Sequence, residues 1–298
     1  PMKRLLALAM SAVMALSLTA CTSGTDNSSS VPEQSSSVAE ERATIRVGGL
    51  KGPTAMGMVK LMEDDAAGTT ANDYEFTLAG SADEINPLLI KGELDIAAVP
   101  TNVASVLYNK TEGQVEILAL NTLGVLYVVE NGDSIQSIED LRGKTVYSTG
   151  QGATPEYALN YILSENGMTV GTDVTVEYKS EHSELAALLA AGQADIAVLP
   201  QPFVTSVLTQ NPDVRIALDL TEEWDKVSPD SALVTGVVVA RKEFVEQNEA
   251  AFNEFLEDYK ASTEFVNANV DEAAALVAGY EIVPKEPIAQ KALPECNI

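Results

Sequence analysis

Two turns of this chain carry the residues best suited to hold a small polar group. Lys51-Gly52-Pro53-Thr54-Ala55 and Gly150-Gln151-Gly152-Ala153-Thr154-Pro155 each lead from a short apolar run into a helix-forming one. The first turn of a helix has backbone N–H groups without intrahelical partners and a partial positive charge. It can therefore receive an anion or a polar acceptor. Thr54 and Thr154 stand where an N-cap belongs, and Pro155 suits the first helical position. Each threonine can also do no more than cap its own helix. Such turns support recognition rather than bond-making. A single histidine, His182, argues against a histidine-built metal site or a Ser-His-Asp triad. It lies in a polar helix start, 179–183, and is expected to be solvated. Neither G-x-x-x-x-G-K-S/T nor G-x-G-x-x-G occurs, so no nucleotide site is indicated and no cofactor is expected.

The elements that must position these turns are written twice. Residues 88–107 and 188–208 match at Gly92 and Gly192, Asp95-Ile96-Ala97 and Asp195-Ile196-Ala197, and Pro100 and Pro200. A period near one hundred residues exceeds that of solenoids, which is roughly 20–50, and points to two similar domains. Each copy reads helix, glycine stop, aspartate, short buried strand, proline, helix. Ile96–Val99 and Ile196–Leu199 are apolar throughout, as strands covered on both faces should be. Thr101-Asn102 and Gln201-Pro202 then fall at carboxyl ends of strands, where open α/β sheets bind ligands.

Along the rest of the chain, strands are expected at 44–50, 74–79 and 115–120, and again at 125–129, 145–148, 174–178, 215–219 and 233–239. Helices are expected at 55–62, from the Ser81 capping box to Gly92, and from Thr101. Others are expected at 137–141 and from Thr154 to about Glu165. Residues 221–230, with the only tryptophan, Trp224, read as a loop. Phe252, Phe255, Leu256 and Tyr259 mark the core face of a helix. Cys296-Asn297-Ile298 looks like the start of a further strand, so the last part of the first lobe is expected to be cut short.

The amino-terminal stretch reads differently. Lys3 and Arg4 precede an apolar run, 5–18, too short to span a bilayer, which takes about 20 residues. This is the pattern of an export signal over 1–20. A serine-rich tether follows over 21–41. The remainder, 42–298, suffices for one large or two medium domains. The chain carries −26, and residues 1–20 hold two basic and no acidic residues, so the exported form would be near −28. Such acidity excludes nucleic acid as a partner. The only cysteines are Cys21 and Cys296, so no disulfide framework is expected if Cys21 is modified.

Together these residues resemble a known family, the solute-binding lipoproteins of bacterial ABC importers. The likeness is greatest to the branch that binds nitrate, sulfonates, taurine and thiamine precursors. It rests on Leu18-Thr19-Ala20-Cys21, which resembles a lipobox, on Gly52–Ala55, and on Gly92–Ala97. Leu141-Arg142-Gly143-Lys144-Thr145-Val146, Gly192–Ala197 and Pro200-Gln201-Pro202 complete it. The resemblance implies a periplasmic-binding-protein type 2 fold: two α/β lobes, each a mostly parallel sheet flanked by helices, joined by strand crossovers. Lobe 1 would be 42–121 plus 236–298, and lobe 2 would be 122–235. The crossovers bring Thr122, Gly124, Thr235 and Gly236 to the cleft. The implied ligand set is then Lys51, Gly52, Pro53, Thr54, Ala55, Thr101, Asn102, Thr122, Gly124, Gly150, Gln151, Gly152, Ala153, Thr154, Tyr157, Gln201, Thr235 and Gly236, with Tyr127 and Trp224 as further aromatic candidates. The implied activity is non-enzymatic: capture of a small solute and delivery to ABC permease subunits. The chain would act as a monomer held at the outer face of the cell membrane by lipid on Cys21. No arginine lies in a predicted cleft turn, which favours a neutral or singly charged solute. A ligand-sensing lipoprotein, or a pyrimidine-precursor or menaquinone-pathway enzyme on this fold, is the alternative.

Overall fold

The computed structural model describes residues 42–298. The expected signal, tether and lipidated Cys21 lie outside the described residues. Two five-stranded sheets organise the rest. The first contains β1 (Thr44–Leu50), β2 (Asp73–Ala79), β3 (Ile96–Pro100), β4 (Val115–Thr122) and β10 (Gly236–Arg241), in the order β2-β1-β3-β10-β4. The second contains β5 (Leu126–Asn131), β6 (Thr145–Ser148), β7 (Thr175–Tyr178), β8 (Ile196–Pro200) and β9 (Val214–Asp219), in the order β7-β6-β8-β5-β9. In each sheet one strand runs antiparallel to its neighbours, β10 in the first and β5 in the second. Each of these is the strand that has just crossed from the other sheet. The remaining pairs are parallel.

Period-two alternation divides each strand between two cores. In the first sheet Ile96, Ala98, Val238 and Ala240 pack with Met56, Leu61, Phe255, Tyr259 and Val277. These come from α1 (Pro53–Met56), α2 (Val59–Ala66), α10 (Glu249–Ala268) and α11 (Val270–Gly279). Ala97, Val99, Val237 and Val239 face the other way, onto Ile85, Leu89, Val103 and Leu107 of α3 (Ala82–Ile90) and α4 (Thr101–Lys110). The second sheet repeats this plan. Val128, Val146 and Val198 pack on Leu159, Ile162 and Leu220, from α5 (Thr154–Glu165) and α8 (Leu220–Val227). Val129, Ala197 and Leu199 pack on Leu185, Leu189 and Val204, from α6 (His182–Ala190) and α7 (Phe203–Gln210). Short α9 (Lys242–Gln247) follows β10, and α12 (Glu286–Ala292) closes the first core. No described helix is long and apolar enough to cross a membrane.

Four local expectations fail, each for a stated contact. The helix expected at 55–62 breaks at Gly57, whose carbonyl accepts the Ser262 hydroxyl at 2.7 Å, while Ser262 Oγ accepts the Leu61 N–H at 3.0 Å. The loop expected at 221–230 is largely α8. Its cap is Asp219, which accepts from the Thr221 N–H at 2.8 Å. The strand expected at 233–239 begins only at Gly236, because Leu233–Thr235 forms a crossing, its Thr235 N–H donating to Thr122 O at 2.9 Å. The chain end forms no strand. Leu293–Glu295 is a 3-10 turn, Cys296 is buried, and Asn297 O accepts the Leu123 N–H at 3.0 Å.

The repeat holds for the backbone and not for charge. The Arg241 N–H donates to Asp95 O, and the Asn131 N–H donates to Asp195 O, in equivalent places. Yet the Asp95 carboxylate is buried and accepts from Arg46 Nε (2.9 Å), Arg46 Nη2 (2.6 Å) and Arg241 Nη2 (2.9 Å), whereas Asp195 is exposed. Burial pushes the Asp95 carboxyl up, but the bonds from Arg46 and Arg241 outweigh it and hold it below the usual carboxylate range. In the second sheet buried Glu130, paired with Arg215 at 2.8 Å, supplies the corresponding anion from a different strand. Breaking a buried pair from one side is costly, and the two arginines are partly exposed. Asp95→Ala is expected to cost about 2–4 kcal/mol. Asp195→Ala should stay within about 0.5 kcal/mol. Urea unfolding of the two variants measures this, and equal losses would refute the asymmetry.

Candidate functional site

A cavity of about 160 Å³ lies where the carboxyl ends of the parallel strands of both sheets meet. Leu50 to Thr54 follow β1, Gly80 follows β2, and Pro100 ends β3. From the second sheet come Gly150, Ala153, Thr154 and Pro155 after β6, with Pro200 and Phe203 after β8. The crossings add Thr122, Val125, Leu126 and Thr235, and α6 adds His182. Among the described residues, no acidic residue and no arginine lines it. Lys51 is its one cationic lining residue among the described residues, at the rim, with Nζ 3.7 Å from exposed Glu281.

Of the residues expected from sequence, Lys51, Gly52, Pro53, Thr54, Thr122, Gly150, Ala153, Thr154 and Thr235 line the cavity. The others do not. Ala55 is in the first core, and Tyr127 is in the second lobe's core. Gln201 is buried, its Oε1 accepting from Thr205 Oγ1 (2.8 Å) and N (3.2 Å) in α7. Gly124 and Gly236 serve close packing. A Cβ on Gly236 would stand 2.6 Å from Asn121 Oδ1 and 2.7 Å from Thr54 Cγ2, and one on Gly124 would overlap Thr221. Tyr157 and Trp224 line an adjoining 440 Å³ surface groove with Tyr161, Thr101, Asn102 and Thr154, the last of which also lines the cavity. That groove is larger, but Tyr157 in it is 56% exposed.

Thr101, Asn102, Gln151 and Gly152 lie beside the cavity, outside its wall, and here the expected caps are corrected. Neither Thr54 nor Thr154 is an N-cap. Gly52 and Ala153 hold those positions, and neither makes a side-chain cap bond. The cap for α5 comes instead from the other sheet's side of the molecule. Asn102, at the start of α4, accepts on Oδ1 from Thr154 N (3.0 Å) and Thr154 Oγ1 (3.1 Å) and donates Nδ2 to Gly152 O (2.9 Å). One carboxamide thus satisfies two backbone groups and a hydroxyl across the cleft. Gly150 and Gly152 have φ of 68° and 75°, which gives the turn the shape that exposes these groups. Thr101 anchors the neighbouring crossing, donating Oγ1 to Val234 O at 2.8 Å. Asn121, at the first crossing, donates Nδ2 to Thr54 O (2.8 Å) and fixes the turn after β1.

His182 also departs from expectation. It is not solvated but half-buried, 5.1 Å from the Phe203 ring, with Nδ1 2.5 Å from Thr149 Oγ1. Its neighbours strip water from it and lower its pKa to about 4. The unfolded chain, with an ordinary imidazole near 6.5, therefore takes up a proton first as the pH falls. The stabilising effect of a neutral His182 is present above about pH 6.5 and is lost toward pH 4. Relative to His182→Gln, the wild type should lose about 2 kcal/mol between pH 7 and pH 4.5. Urea midpoints at both pH values test this, and parallel profiles would contradict it.

Comparison with known proteins agrees with this geometry. A family model described as "ABC transporter, phosphonate, periplasmic substrate-binding protein" matches residues 64–290. A binding protein of Brucella abortus is 25% identical over 187 residues, covering 62% of this chain and 56% of the relative. The chain thus spans little more than half the length of the curated relatives it matches. Among solved structures, an ABC transporter protein from Parabacteroides distasonis superposes with TM-score 0.70 at 24% identity, covering 86% of this chain and 85% of that one. The periplasmic aliphatic sulphonate binding protein SsuA from Escherichia coli gives 0.67 at 16% identity, covering 86% and 80%. The periplasmic nitrate-binding protein NrtA from Synechocystis gives 0.62 at 16%, covering 81% and 67%. At these identities the structures share the two-lobed fold. The family match spans most of the chain, and with it the protein belongs to the periplasmic substrate-binding proteins of ABC transporters, in the phosphonate-type family.

Proposed function

We propose that this protein captures one small organic solute, neutral or singly charged, between lobe 1 (42–121 plus 236–298) and lobe 2 (122–235), and delivers it to ABC permease subunits. The observation that carries the reading is the Asn102 bridge. A side chain of α4 completes the amino terminus of α5 beside a cavity lined from both sheets. Such a bridge is made only when the lobes meet, so solute and bridge favour the same closed state. The lining supports this charge: among the described residues it offers threonine hydroxyls and backbone groups, one lysine at the rim, and neither acid nor arginine. A bidentate clamp for a doubly charged anion is not among these residues. We place the protein outside the cytoplasm as a monomer, tethered by lipid on Cys21, with the permease reading the closed shape.

Native mass spectrometry of the protein incubated with cell extract should show a one-to-one adduct of a single small compound. Absence of any adduct from every extract would contradict capture. Asn102→Ala removes three hydrogen bonds of the closed state, each worth about 0.5–1.5 kcal/mol. Part of this is regained from water on opening, so affinity for the captured compound should fall about tenfold. Calorimetric titration measures that fall, and an unchanged dissociation constant would remove Asn102 from the mechanism. Cys21→Ser should release the protein from the membrane fraction. Continued partition with membranes would contradict the lipid anchor.

A further inference from the structure

Two aromatic rings of lobe 2 stand on the cavity wall. His182 begins α6 and Phe203 begins α7, their ring centroids 5.1 Å apart and their planes inclined by 42°. Thr149, at the end of β6, is 1% exposed, and its hydroxyl has one hydrogen-bond partner among the described residues, His182 Nδ1. A buried hydroxyl left without an acceptor costs about 1–3 kcal/mol. Its hydrogen therefore goes to Nδ1, and Nδ1 must be the unprotonated nitrogen. The proton of the neutral ring is then on Nε2. That atom has no partner among the described residues, yet it is not among the buried polar atoms sealed without one. It is a donor left open on a residue that lines the cavity.

We infer that His182 is the specificity-determining residue of this cleft: with Phe203 it forms a wall that stacks on a single planar ring, and its Nε2–H donates to an acceptor on that ring. The inference rests on the solute-binding reading above and narrows it to a ligand class. The size of the cavity supports it. About 160 Å³ is close to the roughly 150 Å³ that holds one benzene in an engineered apolar cavity, so a single ring fits. The neutral state of His182 supports it too, since burial keeps the ring uncharged at ordinary pH. A charged imidazolium would suit a dianion; a neutral donor beside an aromatic face suits a flat, weakly charged acceptor. Thr149 is a positioning residue, selecting the tautomer without touching the solute.

The chain's single histidine makes the test unambiguous. Imidazole nitrogen-15 NMR of the purified full chain, without a histidine tag, should show the Nε2–H tautomer. Thr149→Val should mix the tautomers. Titration with nicotinamide, cytosine and benzoate should find at least one binder that shifts Nε2 more than Nδ1. For that compound Phe203→Leu should weaken binding about three- to tenfold and His182→Ala at least tenfold, with His182→Gln, which keeps a donor, intermediate. Circular dichroism confirms that each variant is folded. An Nδ1–H tautomer in the wild type overturns the inference. So does a ring compound that binds equally well to His182→Ala. Binding of methylphosphonate, ethanesulfonate or nitrate with no ring compound bound overturns it while leaving solute capture intact. If neither set binds but an extract still yields a one-to-one adduct, the ring class is wrong and capture stands; without an adduct, both fail.

Discussion

The structure turns on one side chain that caps a helix it does not belong to. The first N–H groups of α5 need acceptors from outside the helix. Ala153 has no side-chain oxygen to supply, and Thr154 turns its own hydroxyl outward as a donor. Asn102 meets both needs from the far side of the cleft and returns a bond to Gly152 O. Amino-terminal capping is worth about 1 kcal/mol when made within a helix. Made between lobes, the same free energy depends on their separation. In the proposed closure, helix stability and lobe closure become one quantity. A solute that adds its own contacts on both sides needs to supply only the remainder to shift the population.

The two lobes show how far a duplicated backbone constrains chemistry. Strand order, the antiparallel crossing strand and the buried apolar repeat strand recur in both sheets. Charge placement does not recur. Asp95 joins three strands of the first sheet through two arginines, while Asp195 faces solvent and Glu130 does the equivalent work. The aromatic wall is confined to lobe 2, and the one lysine to lobe 1. A cleft built from two copies of one plan is in this way asymmetric.

Much of the fold was legible in the sequence because it depends on local patterns. The Ser81 capping box, the positive-φ glycines after α3 and α6, and the apolar runs 96–99 and 196–199 all express themselves within a few residues. The turns at 52–54 and 150–154 were found for the same reason, and both reach the cavity. What the sequence hid depends on distant partners. Thr54 and Thr154 have the right type for caps, but cap geometry depends on where Gly52 and Asn102 lie. Gln201 looks like a ligand residue because it follows a strand, and only its bond to Thr205 shows it to be structural. His182 reads as solvated from its polar neighbours in sequence, whereas Phe203 and Thr149, far along the chain, desolvate it. The break at Gly57 likewise depends on Ser262.

We propose that the lobes close on the solute through the Asn102 bridge. Small-angle X-ray scattering reads this directly, because hinge opening enlarges the whole molecule. Wild type with its captured solute should show a smaller radius of gyration than without it, and solute-free Asn102→Ala a larger radius than solute-free wild type. Identical scattering from all of these samples would contradict it.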